Sequence, residues 1–392
     1  MPQSDPAPCA SSSAVAAETR ADAIAADRDG SPVLRPHRRI LELDGLRAIA
    51  ALSLVAFHLT HVYSEKYGYR SPLPFLWHYG AYGTEMFFIL SGFVNSMSLL
   101  RRGRPVDFVA ARLIRIVPLF LLVIVANVFV LRLAPMQTPV SLTTYAANLT
   151  LMPKVFGAEC LDPVMWTLQI EMLFYATIVT LYCLGGTRRY FVGWGTLLLA
   201  SLVVCPTLDH LQPTHESSWW FSVATGLRLL MVLDFVPLFA IGFMIYMIKT
   251  RTGRLWQNAL AIAMATGVFH AIDHGKHNPA ATVLLIGLVA AAAYGKVPPL
   301  RIRPLIHIST ISYALYLCHN NLGCVLIHRL DQSGVPSWAS LAAAAALAWS
   351  VSVIVTERVE GPMTRWLRSR WEAFRQRPIK ATPSGRMPRG AF

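Results

Sequence analysis

RLIRIVPLFLLVIVANVFVLRL, residues 112–133, decides the fold. After Arg115 no charged side chain occurs until Arg132. The stretch has the roughly 20 residues a helix needs to cross the hydrocarbon of a bilayer. Comparable apolar runs recur at 45–62, 80–99, 166–184, 190–206, 232–248, 257–272, 280–295, 306–328 and 338–357. They predict an all-α fold, a polytopic transmembrane helical bundle of about ten spans. The stretch Trp219 to Leu230 reads as an interfacial helix or an added half-span. Pro118 and Pro237 sit inside spans and are expected to kink them, which neighbours in a membrane bundle tolerate. No internal repeat is found.

Composition agrees. The chain has 392 residues, of which 54% are hydrophobic and 14% charged, with a mean hydropathy of +0.46. Soluble proteins carry about 25% charged residues, so no sizeable soluble domain is expected. The net charge of +14 would suit nucleic acid. The basic residues, however, sit in the tails and in short connections between apolar runs, where they set topology. Of the 35 Lys and Arg, 27 fall in the tails and alternate connections on one side, and seven on the other. That excess places both termini in the cytoplasm. No nucleic-acid partner is expected.

Residues 1–38 are rich in Ala, Ser, Asp and Pro and lack the basic start, apolar run and cleavage site of a signal peptide. They are expected to form a disordered cytoplasmic tail, followed by a membrane domain over 39–370 and a basic cytoplasmic tail over 371–392 that contacts anionic lipid. Six cysteines lie mostly in or beside apolar runs and read as small apolar residues rather than a disulfide framework.

Ionisable residues within spans are costly and mark function. The first span runs Leu-Asp-Gly-Leu-Arg-Ala-Ile-Ala-Ala-Leu-Ser-Leu-Val-Ala-Phe-His from Leu43 to His58. Arg47 and His58 share a helix face, about 16 Å apart along the axis, with Arg47 at the cytoplasmic end. The plainer reading is an arginine snorkelling to headgroups and a packed histidine. Arg112 and Arg115 share a face at a cytoplasmic helix end and make a fork for phosphate oxygens, or else contact lipid phosphates. Glu85 lies near the outer boundary, and Ser91-Gly92 permits close helix approach. Trp166 is a plausible interface anchor. Glu171 lies at a depth comparable with His58, so a His58–Glu171 general-base pair is expected, the carboxylate orienting the imidazole. His270, Asp273, His274 and His277 have helical spacing, but nothing else completes a metal site, and no metal is expected. His61, one turn beyond His58, reads as incidental.

These segments together resemble the acyltransferase-3 family of membrane O-acyltransferases, from about Arg39 to Pro362. The resemblance rests on Arg47 and His58 with ten residues between them, the Ser-Gly-Phe ending at Phe93, and Arg112-x-x-Arg115. It extends to Asn148 in Asn-Leu-Thr-Leu, Trp166 to Glu171, Ile-Ser-Tyr-Ala-Leu-Tyr-Leu-Cys-His at Ile311 to His319, and Glu360-x-Pro362. Thr167 replaces the usual Ser and keeps its hydroxyl, whereas Met172 replaces a frequent second acid, so any role for that acid is absent. No esterase-like domain follows, as in the stand-alone form.

The resemblance implies transfer of an acyl group, usually acetyl, from acetyl-CoA on the cytoplasmic side to a hydroxyl of a cell-surface glycan or its lipid-linked precursor, in a bacterial inner membrane. It implies Arg47, Arg112 and Arg115 at the donor, His58 and Glu171 in catalysis, and Trp166, Glu85 and His319 at the substrate. Alternatives are acylation of a small hydroxylated metabolite, succinyl or longer-chain transfer, and, from another class, a proton-coupled transporter built on the same intramembrane charges.

Overall fold

A computed structural model describes residues 24–26, 32–34, 39–133, 140–215 and 218–376. The chain forms two units, Met1–Ile40 and Leu41–Phe392. In the first, β1 (Ile24–Ala26) pairs antiparallel with β2 (Pro32–Leu34), Ala25 opposite Val33. The rest of the expected tail over 1–38 lies outside the described residues, as does 377–392.

The second unit is helical. Its long elements are α1 (Leu41–Lys66), α2 (Tyr82–Arg102) and α3 (Pro105–Arg132). A short α4 (Leu142–Leu149) precedes α5 (Pro163–Leu184) and α6 (Phe191–Gln212). Then come α7 (Trp219–Leu230), α8 (Val236–Lys249), α9 (Leu255–Ile272) and α10 (Pro279–Ala293). The unit closes with α11 (Arg303–Gln332), α12 (Ser337–Val355) and α13 (Gly361–Arg375). Each predicted span falls on one of these helices. The last helix continues four residues past Trp371, where a tail was expected to begin.

Helical geometry is continuous over Trp166–His215, yet a straight helix would put residues 20 apart about 30 Å from one another. The ring centroids of Phe174 and Trp194 are 6.3 Å apart, so α5 and α6 fold back as a hairpin, as the two separate apolar runs imply.

Six helical stretches, α1, α3, α5, α6, α9 and the α12–α13 run, are long and apolar enough to cross a membrane, and α8 and α10 are shorter apolar helices. α2 and α11 are long but carry buried polar residues, among them Glu85, Asn95, His319, Asn320 and Asn321, which neighbouring helices shield. Lipid-type side chains such as Phe129, Leu199, Met264 and Leu284 cover the outside. The protein is an integral membrane protein.

Contacts between connections sort them into two ends. At one, Arg70 N–H donates to Asp331 (2.7 Å), Arg329 Nη2 to the Leu133 carbonyl (2.8 Å), and Asn278 N–H to Tyr82 OH (3.0 Å). At the other, Arg301 pairs with Glu42 and Arg375 with Asp107 (3.2 Å). α1, α2, α3, α10 and α11 therefore each run from one of these ends to the other.

The core is aromatic. Phe239 of α8 stacks on Phe174 of α5 with centroids 3.8 Å apart and lies 5.0 Å from Phe88 of α2. Gly92 and Gly242 make this possible, because a Cβ at Gly92 would overlap the Phe239 carbonyl, and one at Gly242 the Ile89 carbonyl. Gly92 was legible as a close-approach position; its partner was not.

Candidate active site

Arg47 of α1, Arg112 and Arg115 of α3, and Glu171 of α5 meet at one cavity of about 120 Å³. Arg112 is held by rings, its guanidinium carbon 5.3 Å from the Phe108 centroid and 5.7 Å from that of Tyr175. Arg47 lies 3.6 Å from Asp44 one turn earlier. Glu171 Oε1 accepts from Ser91 Oγ at 3.1 Å and Tyr175 OH at 2.5 Å. Three guanidiniums against one wall carboxylate leave this cavity suited to an anionic ligand. Its volume is below the 300–1,000 Å³ usual for a whole small-molecule ligand, so it fits a slender arm rather than a nucleotide.

The cavity stops one helical turn short of His58. Leu54 and Tyr316 line it; His58 follows Leu54 by four residues on α1, and His319 follows Tyr316 by three on α11. Tyr316 OH is held at the start of α5, 2.7 Å from the Val164 carbonyl and 2.5 Å from Thr167 Oγ1. Beyond it the two imidazoles meet, with His319 Nε2 3.1 Å from His58 Nδ1. His319 is fully buried.

The hydrogen bonds fix the tautomers. His319 Nδ1 lies 3.0 Å from the Leu315 carbonyl and 2.9 Å from that of Tyr316. Carbonyls only accept, so this nitrogen carries hydrogen, and Nε2 of the neutral ring is an acceptor. His58 must then donate from Nδ1. Nε2 of His58 is left as the basic nitrogen. His58 stands in a π-helical segment, Phe57–Val62, a local insertion that often accompanies functional positions.

Here the structure differs from the expectation. The ring partner of His58 is His319, whereas the Glu171 carboxylate is taken by Ser91 and Tyr175 beside the arginines. Similar depth did not imply contact, because Tyr316 occupies the place beside the start of α5 and the next turn of α11 brings His319 to His58. Glu85 and Trp166 do not line this cavity either. Glu85 precedes Ser91 by six residues, which turns it to another face of α2. It accepts from Thr282 Oγ1 at 3.0 Å, and its other oxygen lies 3.4 Å from His277 Nε2. Trp166 packs on Phe235 (5.3 Å) and borders a second cavity. His277 pairs with Asp273 at 2.6 Å and His274 with Asp209 at 3.0 Å. His61 packs on His78, centroids 4.2 Å apart.

One residue escaped sequence reading. Asp162, just before α5 and buried, accepts from Asn320 Nδ2 (2.8 Å), Asn321 N–H (3.1 Å) and Val164 N–H (3.2 Å). It ties the connection before α5 to α11 directly beside His319. Burial pushes its carboxyl up to about 6, against which these donors act. The available signal was Asn320-Asn321 in an otherwise apolar run, a polar pair that needs a buried partner.

A family model described as an acyltransferase domain matches residues 40–357. A protein named for a membrane-bound transacylase activity, BcsY of Komagataeibacter xylinus, is 24% identical over 312 residues, covering 72% of this chain and 73% of the relative. The exopolysaccharide production protein ExoZ of Rhizobium meliloti (strain 1021) is 28% identical over 306 residues, covering 74% of this chain and 92% of the relative. No solved structure matches. With most of its length matched by that family model, the chain belongs to the acyltransferase-3 family of membrane-bound acyltransferases.

Proposed function

We propose that the protein moves an acetyl group from acetyl-CoA, arriving at the cytoplasmic side, to a hydroxyl of a cell-surface glycan or its lipid-linked precursor in a bacterial inner membrane. The observation that carries this reading is the His58–His319 pair one turn beyond a cavity walled by Arg47, Arg112 and Arg115. The arginines suit the phosphates of a coenzyme A donor, and the slender cavity suits its pantetheine arm. The acceptor hydroxyl gives its proton to His58 Nε2 as its oxygen attacks the thioester carbonyl. The carbon–sulfur bond breaks, and the leaving thiolate takes that proton back, so the products are the ester and free coenzyme A. His319 positions His58; Glu171, with Tyr175, sets the charge among the arginines. A surface polysaccharide as acceptor draws support from the name of ExoZ. Succinyl transfer or a small hydroxylated metabolite would use the same steps. Family membership removes the ground for the transporter alternative.

The test incubates membranes with labelled acetyl-CoA and a glycan extract. Wild type is expected to label the sugar, and His58→Ala to label none at equal membrane content. Labelling by His58→Ala at the wild-type rate sinks the proposed base.

A further inference from the structure

A second cavity, of about 660 Å³, lies apart from His58, His319 and the three arginines Arg47, Arg112 and Arg115. Its residues come from helix ends and the connections between them at the end of the bundle that bears Asp331 and Arg70, the outer end by the charge count. The partition is a single helical turn: Trp166 borders this cavity, and Thr167 borders the other. The volume falls in the range of small-molecule sites, about 300–1,000 Å³.

Its chemistry is specific. Trp166 and Phe235 form an aromatic wall, rings 5.3 Å apart and inclined by 40°. Three cations, Lys154, Arg228 and Lys276, are matched in number by three carboxylates, Asp209, Asp234 and Asp273. Arg228 has no fork to offer an anion. Nε donates to Asp234, Nη1 to Asp209 (2.6 Å), and Nη2 to both carboxylates. Each carboxylate accepts up to about four hydrogen bonds; Asp209 accepts three, from Arg228 and His274, and Asp234 three from Arg228, so both keep acceptor capacity. A cavity with balanced Lys/Arg and Asp charges, carboxylate acceptors and an aromatic wall suits a ring with many hydroxyls and apolar C–H faces.

We propose that this outer cavity binds a neutral sugar segment of the acceptor chain, apart from the unit that is acylated; the inference rests on the acyl-to-glycan reading above. A chain seated there lies about one helix diameter, 10–12 Å, from the arginine cavity across α5. The site anchors the polymer while another unit reaches His58.

The full chain in detergent, titrated calorimetrically with a neutral gluco-oligosaccharide and with its uronate counterpart, tests this. Saturable binding of the neutral oligosaccharide is expected, at least tenfold tighter than the uronate. Trp166→Ala should weaken it tenfold or more. Because that residue also packs in the bundle, Lys276→Trp, at an exposed rim position, provides a second variant that fills the mouth and should weaken binding similarly. Tighter uronate binding, no saturable binding of the neutral oligosaccharide, or wild-type affinity in both variants overturns the site. Acetyl transfer on the same wild-type preparation separates the two readings. Transfer without sugar binding sinks this site alone; sugar binding without transfer to any alcohol sinks the enzyme reading alone.

Discussion

Replacing His319 by Ala leaves the His58 Nδ1–H without the acceptor now 3.1 Å away. An orphaned buried donor costs about 1–3 kcal/mol, which at about 1.36 kcal/mol per decade corresponds to about 5- to 160-fold in rate. Removing the base itself should cost about 10²- to 10⁴-fold. His319→Gln restores a carbonyl acceptor near the position of Nε2 and should recover most of the loss. If His319 acts through His58, the double variant His58→Ala/His319→Ala should be no slower than His58→Ala alone. The assay is initial-rate transfer of labelled acetyl to glycan, normalised to membrane content by immunoblot. Wild-type turnover in His319→Ala, no rescue by His319→Gln, or an undiminished effect of His319→Ala in the His58→Ala background would refute the positioning role.

Arg112→Lys keeps the charge but loses the planar cation stacked between Phe108 and Tyr175; the KM for acetyl-CoA should rise about tenfold. Gly92→Ala drives a Cβ into the Phe239 carbonyl and should destabilise by about 1–3 kcal/mol, whereas Gly267→Ala, with open space around it, should leave the thermal midpoint in detergent unchanged or raise it. The Asp162 carboxyl lies above its ordinary 3.8, at about 6, so the folded state holds that proton more tightly. Stability is therefore full below about pH 4 and falls as pH rises to about 6; midpoints across this window should slope downward in wild type and flatten in Asp162→Asn.

The spans were legible because a bilayer imposes length and apolarity on each helix, and the run at 112–133 meets both without tertiary help. The hairpin of α5 and α6 was legible as two runs even though helical geometry continues between them. Arg47, Arg112 and Arg115 were found by charge placed where charge is costly, and one cavity does unite them. Which side chain faces which was not legible. Depth along parallel helices says nothing about rotation, so Glu171 was set against His58 although Tyr175 and Ser91 claim it. Glu85 and Trp166 were assigned to the reacting substrate, yet Trp166 faces the second cavity and Glu85 is taken by Thr282 and His277. Asp162 sits in a connection with no periodicity, and its partners are some 160 residues away in sequence.

The account stands on a base inside the bilayer served from opposite sides. Its most direct measurement uses sealed inside-out membrane vesicles with glycan acceptor enclosed and labelled acetyl-CoA outside. Wild type should place label on lumenal glycan, and His58→Ala should place none. Label appearing only on acceptor added outside, or equally with His58→Ala, contradicts it.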